Sequence, residues 1–259
     1  MLASIWAGLT LEDDAAAYLE GRGIDPQVAA TEGVRSVPRG RWSHMVADHS
    51  DAELAAAGIW HPERGYLQPY WHKDTAFLVL PYHDDRGQLA SLRYRRIDGD
   101  EPKALGLLRV GADDLHCPPL PYLAPGQVVQ AVRHDAPLYV VEGEPDALAL
   151  ATVHRHAVAA PGAQSWQDRW CCGWEDLPAV VVLADGDDAG EGLAERVADA
   201  AAEELGPSWA RDRLHLCAAG EGLDPGDLLE AGELRDALDA LERQRGWTSP
   251  EIPPWEAAG

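Results

Sequence analysis

The amino-acid sequence predicts an α/β protein in which a smaller α+β region is followed by a parallel sheet. From Pro137 onward, short apolar runs alternate strictly with helical segments, a pattern typical of parallel strands joined by helical crossovers. Before Pro137 the chain combines helical segments with one β-hairpin. Because 46% of the 259 residues are hydrophobic, the chain can bury a substantial core. The predicted regions are an N-terminal α+β subdomain, a parallel-sheet domain with helices on both faces and a C-terminal helical extension with a tail, at residues 1–135, 136–219 and 220–259.

The elements of the N-terminal half follow from apolar spacing and from residues that break helices. Ala15, Tyr18 and Leu19 fall at helical spacing, and Gly21 and Gly23 then interrupt the helix. A turn of charged residues and glycine at 84–87 joins two short apolar or alternating runs. The predicted elements are helices in residues 9–30 and about 51–57 and strands at 77–81 and 89–97. A proline-rich connector is expected at 117–125.

The elements of the C-terminal half are predicted from their alternating apolar runs and helical segments. The predicted strands lie at 138–141, 157–160, 179–184 and 214–217, and the predicted helices at 144–153, 165–174, 188–205 and 234–243. Trp166, Trp170 and Trp174 recur every four residues, which favours a buried helix face over a surface for base stacking.

Charge is distributed unevenly along the chain. The net charge of −23 divides into −6 for residues 1–135 and −17 for residues 136–259. The only dense basic cluster is Arg93, Arg95 and Arg96, with Lys103 close behind. A local basic patch can bind a polyanion on an acidic protein, although a solvated strand face explains the arginines equally simply. Strand alternation puts Arg93 and Arg95 on one side and Arg96 on the other.

The cysteines and apolar segments indicate the compartment. None of the four cysteines forms a C-x-x-C pair, so we expect free or buried thiols and no zinc site. No run approaches the roughly 20 apolar residues that span a bilayer, and the N-terminus lacks the basic region of a signal peptide. We therefore expect a cytoplasmic protein without a membrane partner.

Two acidic groups directly follow predicted strands, Glu142 to Asp146 after the first strand and Asp185 to Gly190 after the third. The carboxyl ends of parallel strands share one edge of a sheet, so we expect the two groups to converge. Facing carboxylates need a cation to neutralise them, and oxygen ligands favour Mg²⁺ or Mn²⁺ over zinc. The simpler role of a helix N-cap is favoured for Glu144 and Asp188.

A further acidic pair, Asp224 and Asp227, follows the last predicted strand. It marks either a turn that starts a helix at Pro225 or an additional ligand for a metal or phosphate. The sequence leaves both readings open.

These motifs carry a family resemblance. Glu142-Gly-x-x-Asp146 and Asp185-x-Asp187-x-Ala189-Gly190 resemble the two signatures of TOPRIM domains, which occur in bacterial primases, topoisomerases and some nucleases. Residues 17–24 resemble the Tyr-Leu-x-x-Arg-Gly-Ile opening of the RNA-polymerase domain of bacterial primases, and residues 77–96 resemble its hairpin. Asp224-Pro225 is similar to that family's Asp-Pro-Asp. Over residues 10 to 230 the chain is thus similar to a bacterial or phage DnaG-type primase core.

The resemblance implies a TOPRIM fold and a two-metal nucleotidyltransferase site. Asp185 and Asp187 would hold Mg²⁺ or Mn²⁺, with Asp224 as an additional ligand and Asp146 supporting the metal shell. Glu142 would bind metal or act as general acid/base on the 3′-oxygen or the leaving group.

The resemblance also assigns the basic residues, which would hold a single-stranded DNA template or a ribonucleoside triphosphate: Arg93, Arg95, Arg96 and Lys103. The expected activity is the synthesis of short RNA primers. The alternatives are a TOPRIM nuclease, which would activate water with the same carboxylates, and a non-catalytic DNA-binding accessory of a replicative helicase.

The sequence departs from the family pattern in several places. No set of Cys/His ligands for a zinc ribbon precedes residue 77, and no helicase-binding helical domain is recognised. We expect a core of the kind found in phages and mobile elements, with a zinc module or helicase supplied by another chain. The family's Lys-Tyr-x-Asn segment is present only as Lys103-Ala104-Leu105-Gly106.

Overall fold

The computed structural model describes residues 1–107, 118–220 and 223–247. The helices are α1 (Leu2–Ala7), α2 (Asp13–Glu20), α3 (Pro26–Thr31), α4 (Trp42–Met45), α5 (Asp51–Ala56), α6 (Gly126–Arg133), α7 (Glu144–Thr152), α8 (Asp188–Glu204), α9 (Pro207–Arg213), α10 (Pro225–Glu230) and α11 (Leu234–Arg245). The strands are β1 (Arg35–Val37), β2 (Trp60–His61), β3 (Tyr66–Leu67), β4 (Phe77–His83), β5 (Leu89–Arg96), β6 (Ala104–Gly106), β7 (Leu138–Val141), β8 (His156–Ala159), β9 (Val180–Ala184) and β10 (Leu214–Ala218). Within these ranges, no helix is both long and apolar enough to cross a membrane.

The chain folds into two compact units. One consists of Met1–Glu20 with Glu32–Pro119, and the other of Gly21–Thr31 with Leu120–Gly259. The units divide the chain differently from the three regions expected from sequence, because α3 packs against α7 and so joins the C-terminal unit. Cys117, in the predicted connector, lies outside the described residues.

The first unit is built on an antiparallel sheet with strand order β1-β4-β5-β6. The predicted hairpin is β4 paired with β5, with Val79 opposite Tyr94. One face of the sheet packs on an aromatic core in which Trp42, Phe77 and Tyr94 meet edge to face. The Trp42 indole N–H donates to the Gln68 carbonyl at 2.9 Å, so the buried polar atom of the ring is satisfied. Trp42 and Trp71, both fully buried, therefore belong to the core of this unit.

The second unit contains a four-stranded parallel sheet in the order β10-β9-β7-β8. Every residue of β7, β8 and β9 is buried, which is the pattern of parallel strands covered on both faces. The predicted fold class, a parallel α/β sheet preceded by a smaller α+β part, is confirmed. The central strands β7 and β9 are neighbours, and this places the residues after them side by side.

The helix predicted at residues 165–174 is wrong. The chain there forms two short 3₁₀ turns, Ala163–Ser165 and Asp168–Cys171, and Gly173 follows with φ of +89°. The ring of Trp166 packs against those of Trp170 and Trp174 at centroid distances of 5.3 and 5.7 Å. The segment also packs against α8, so burial of the indoles, rather than helical periodicity, decides its shape.

Helix α11 is held on the sheet by a buried ionic network. The Arg155 guanidinium donates to both carboxylate oxygens of Glu242, at 2.8 and 2.9 Å, and also pairs with Asp239. The Tyr139 hydroxyl, on β7, donates to Glu242 at 2.7 Å. This network fixes the helix to the strand that carries the acidic site.

Candidate metal centre

The acidic residues follow the carboxyl ends of three adjacent strands. Glu142 directly follows β7, Asp185 directly follows β9, and Asp224 lies beyond β10. The loop after β9 is tied to the last of these segments, because the Gly186 N–H donates to the Leu223 carbonyl at 3.1 Å. The convergence predicted from sequence is therefore present at this edge of the sheet.

Glu142 and Asp185 form the buried centre of the cluster. Glu142 Oε1 and Asp185 Oδ1 are both buried and have no hydrogen-bond partner among the described residues. Glu142 and Asp185 can approach helix α8 closely because Gly190, in its first turn, has no side chain. A Cβ at Gly190 would lie 2.7 Å from Glu142 Oε1 and 2.2 Å from the Asp185 carbonyl oxygen, so any side chain would be excluded.

The electrostatics of the site reflect unbalanced negative charge. Burial, followed by repulsion from Glu142, Asp224, Asp187 and Asp227, raises the pKa of Asp185 to about 7. Burial and repulsion from Asp187 likewise raise the pKa of Glu142, and they outweigh a backbone hydrogen bond from Asp185 and the charge of Arg196, which lower it. A buried carboxylate surrounded by like charges favours its neutral form, and a bound cation would reverse that preference.

Asp187 and Asp224 each cap a helix with one oxygen. Asp187 Oδ1 accepts hydrogen bonds from the N–H groups of Ala189 and Gly190 at 2.9 Å, at the start of α8. Asp224 Oδ1 accepts from the N–H of Asp227 at 2.7 Å, and Asp227 returns the contact in a capping box. Asp224 thus starts α10, as one of the two sequence readings expected, and its charge also raises the pKa of Asp185.

Asp146, Asp224 and Arg22 all lie close to Gly226. A Cβ at Gly226 would lie 3.0 Å from Asp224 Oδ1, 3.2 Å from Arg22 Nη2 and 3.5 Å from Asp146 Oδ1. Asp146 is 7% exposed. Sequence reasoning assigned no role to Arg22, although it lies within the motif at residues 17–24, and that motif is the signal that could have found it.

The residues present fit a cation with oxygen ligands. Two unpartnered buried carboxylate oxygens, both on groups with raised pKa values, are the donors that a hard divalent ion prefers. In the described ranges, however, no three His, Cys, Asp or Glu side chains are gathered closely enough to hold a metal as they stand.

The predicted basic residues lie in the other unit and do not all share one face. Arg96 is 9% exposed, pairs with Asp98 and Asp100 and lies over the Trp71 ring at 5.4 Å. Arg93 and Arg95 project from the opposite face of β5, and Arg95 Nε donates to the Tyr18 hydroxyl at 3.3 Å. Lys103 is exposed, with its ammonium 3.9 Å from Glu101.

A known family matches the part of the chain that carries the acidic residues. A family model described as Toprim-like matches residues 139–228, which include Glu142, Asp146, Asp185, Asp187 and Asp224. The second unit therefore contains a Toprim-like domain, and TOPRIM primases generally depend on a divalent metal.

Over most of its length the chain is similar to bacterial DNA primases. It is 28% identical to the DNA primase of Pseudomonas putida over 239 residues, which is 88% of this chain and 34% of that protein. It resembles the structure of a DNA primase domain from Pseudomonas aeruginosa (TM-score 0.66, 24% identity, 89% of this chain and 71% of that one). It also resembles a DnaG primase catalytic domain bound to single-stranded DNA (TM-score 0.71, 23% identity, 93% and 76%). The chain thus has the fold of a DnaG-type primase catalytic core and spans about a third of the length of its curated relatives.

Proposed function

We propose that this chain is a nucleotidyltransferase that synthesises short RNA primers on single-stranded DNA. The observation that carries the proposal is the pair of buried, unpartnered carboxylate oxygens on Glu142 and Asp185, inside the Toprim-like segment. The similarity to DNA primases over 88% of the chain supports it. The substrates would be a DNA template and ribonucleoside triphosphates.

The proposed cofactor is Mg²⁺, with Mn²⁺ as a substitute. Asp185 and Asp187 would hold it with Glu142, and Asp224 would be an additional ligand. When bound, the ion would neutralise the triphosphate and lower the pKa of the attacking 3′-hydroxyl. The donor chemistry supports this proposal, since the groups whose charge most strongly affects the pKa of Asp185 are carboxylates: Glu142, Asp224, Asp187 and Asp227.

Each residue has a proposed role that its surroundings favour. The raised pKa of Glu142 suits a general acid/base near neutral pH, acting on the 3′-oxygen or the leaving group. Asp146 supports the cluster from its buried position at the start of α7. Arg22 lies close to Asp146 and Asp224, where its positive charge would stabilise the carboxylates or a substrate phosphate.

The basic residues of the first unit are proposed to bind template or nucleotide. Arg93 and Arg95 share a strand face, and Lys103 is exposed, so all three suit contacts with phosphates. Arg96 would contribute less, because Asp98 and Asp100 already neutralise it. A replicative helicase and a zinc-binding module from another chain are further proposed partners.

The test is primer synthesis on single-stranded DNA with labelled ribonucleotides in Mg²⁺ or Mn²⁺. Wild-type protein should make short RNA, and Asp185→Ala should abolish it. Template-dependent product that Asp185→Ala leaves unchanged would refute the assignment. A parallel plasmid-nicking assay detects a nuclease: metal-dependent nicking without primer synthesis would replace the proposed function.

A further inference from the structure

Arg196 ties α8 to the loop that follows β8. Its Nη2 donates to the carbonyl oxygen of Ala163 at 2.5 Å. That loop turns at Gly162, whose φ of +118° favours glycine, and Ser165 closes it with hydrogen bonds to the Gly162 carbonyl. The loop therefore has a defined shape, and Arg196 is the side chain that anchors it to the helix.

Gly192 leaves the room that the Arg196 guanidinium occupies. A Cβ at Gly192 would lie 3.3 Å from Nη1 and 3.5 Å from Nη2 of Arg196. The guanidinium is thus folded back along the first turns of α8. Its Nε is buried and has no hydrogen-bond partner among the described residues, so the bond to Ala163 is its principal anchor.

The loop lies beside the acidic centre. The Ala160 N–H, at its start, donates to the carbonyl of Val141, the residue directly before Glu142, at 3.0 Å. At its other side, α8 begins with the Asp187 cap and contacts Glu142 at Gly190. The positive charge of Arg196 also acts on the Glu142 carboxylate. One side chain therefore connects the segments on either side of Glu142.

We propose that Arg196 is a positioning residue, which holds the 160–165 loop against α8 and so fixes the place of Glu142 in the metal centre. The inference rests on the proposed function for its catalytic consequence. The placement of Glu142 itself affects metal binding and does not depend on which reaction the site performs.

The charge of Arg196 and its contact with the loop predict opposite effects of its substitution on metal affinity. Removing a positive charge near carboxylates, by itself, strengthens the binding of a cation. Losing the anchor of the loop beside Glu142 displaces a proposed ligand and weakens metal affinity, by about 10-fold if the effect matches the lower end found for hydrogen-bond partners of metal ligands. Calorimetric titration of the full chain with Mn²⁺ therefore distinguishes a positioning residue from a bystander.

The variants are Arg196→Met, which keeps much of the side-chain bulk without the charge, and Arg196→Lys, which keeps the charge without the planar fork. Gly192→Ala crowds the guanidinium slightly without altering it, because the new Cβ would lie 3.3 Å from Arg196 Nη1, and Arg235→Met, at an exposed site on α11, is the matched control. We expect Mn²⁺ affinity to fall about 10-fold in Arg196→Met, with Arg196→Lys between it and wild type and Gly192→Ala the least affected. In the metal-free protein, amide hydrogen exchange in a peptide spanning residues 161–167 should be faster in Arg196→Met than in wild type.

In primer synthesis by Arg196→Met, kcat should fall together with Mn²⁺ affinity. The KM for template should stay within twofold of the wild-type value. Unchanged or tighter Mn²⁺ binding in that variant, with unchanged exchange at 161–167, would overturn the inference. If wild-type protein makes no primers, the proposed function fails, yet titration and exchange still decide the role of Arg196.

Discussion

Glu142 Oε1 lies against the backbone of Gly190, at a distance that leaves no room for a Cβ on the glycine. The nearest atoms to such a Cβ would be the Asp185 carbonyl oxygen at 2.2 Å and Glu142 Oε1 at 2.7 Å. The N-terminus of α8 thus approaches both central acids. A helix N-terminus carries partial positive charge, which partly offsets their repulsion.

Gly190→Ala should disrupt this contact. Since the nearest atom is backbone, relief requires the helix to move, and we expect a loss of about 1–3 kcal/mol in the free energy of unfolding together with loss of Mn²⁺ binding. Urea unfolding and calorimetric titration measure the two effects. Gly126→Ala is the control, because a Cβ there meets nothing within 4 Å. A Gly190→Ala protein as stable and as metal-competent as wild type would refute the described geometry.

Asp185→Asn should stabilise the metal-free protein at pH 8. The folded-state pKa of Asp185 is raised to about 7, so its contribution to stability is present below pH 4 and is lost as the pH rises through 7. The uncharged amide of Asp185→Asn avoids that loss. The melting temperature of this variant in EDTA should therefore exceed that of wild type at pH 8, and the difference should shrink toward pH 4. Saturating Mn²⁺ should raise the melting temperature of wild type but not that of Asp185→Asn. A variant that melts below wild type in EDTA at pH 8 would contradict this account.

Glu242→Ala should strongly destabilise the fold. It leaves Arg155, which is 8% exposed, without its buried partner, and breaking such a pair costs about 3–5 kcal/mol. Urea unfolding at pH 7 measures the change. Asp212→Ala removes an exposed pair with Arg211 and should cost no more than about 1 kcal/mol. Equal effects of the two substitutions would show that the buried network does not hold α11.

His156 should make stability fall at mildly acidic pH. Burial, followed by repulsion from His134 and Arg155, lowers its pKa to about 4. The neutral ring, with hydrogen on Nδ1, donates to Gln127 Oε1 at 2.9 Å and accepts from His134 Nδ1 at 3.1 Å.

The unfolded chain takes up this proton near pH 6.5 and the folded chain only near pH 4. The stability that His156 contributes is therefore present above pH 6.5 and is lost as the pH falls to 4, by at most about 3 kcal/mol. Chemical unfolding between pH 7 and pH 4 should show a shallower decline for His156→Gln than for wild type. Parallel curves would exclude His156 as the cause.

The sequence predicted the parallel sheet and its acidic edge because both depend on local patterns. Buried strands are continuous apolar runs, and residues after neighbouring parallel strands must meet, so Glu142 and Asp185 were predicted together. Arg96 could also have been interpreted from its neighbours, since Asp98 and Asp100 lie two and four residues away and neutralise it.

Contacts between distant segments could not be predicted in this way. The bond from Arg196 to Ala163 and the approach of Arg22 to Gly226 depend on which loops the sheet brings together. The tryptophan spacing at 166–174 suggested a helix, yet the indoles pack on one another around 3₁₀ turns. Tertiary burial there overrides local periodicity.

Glu142 and the neighbouring aspartates are proposed to form a divalent-metal centre for primer synthesis. The most direct test of this proposal compares wild type with Glu142→Gln in ribonucleotide incorporation on single-stranded DNA, with folding checked by melting temperature. We expect a folded Glu142→Gln protein whose synthesis is reduced at least about 100-fold, as for loss of a general acid/base. Synthesis at the wild-type rate by this variant would contradict the account.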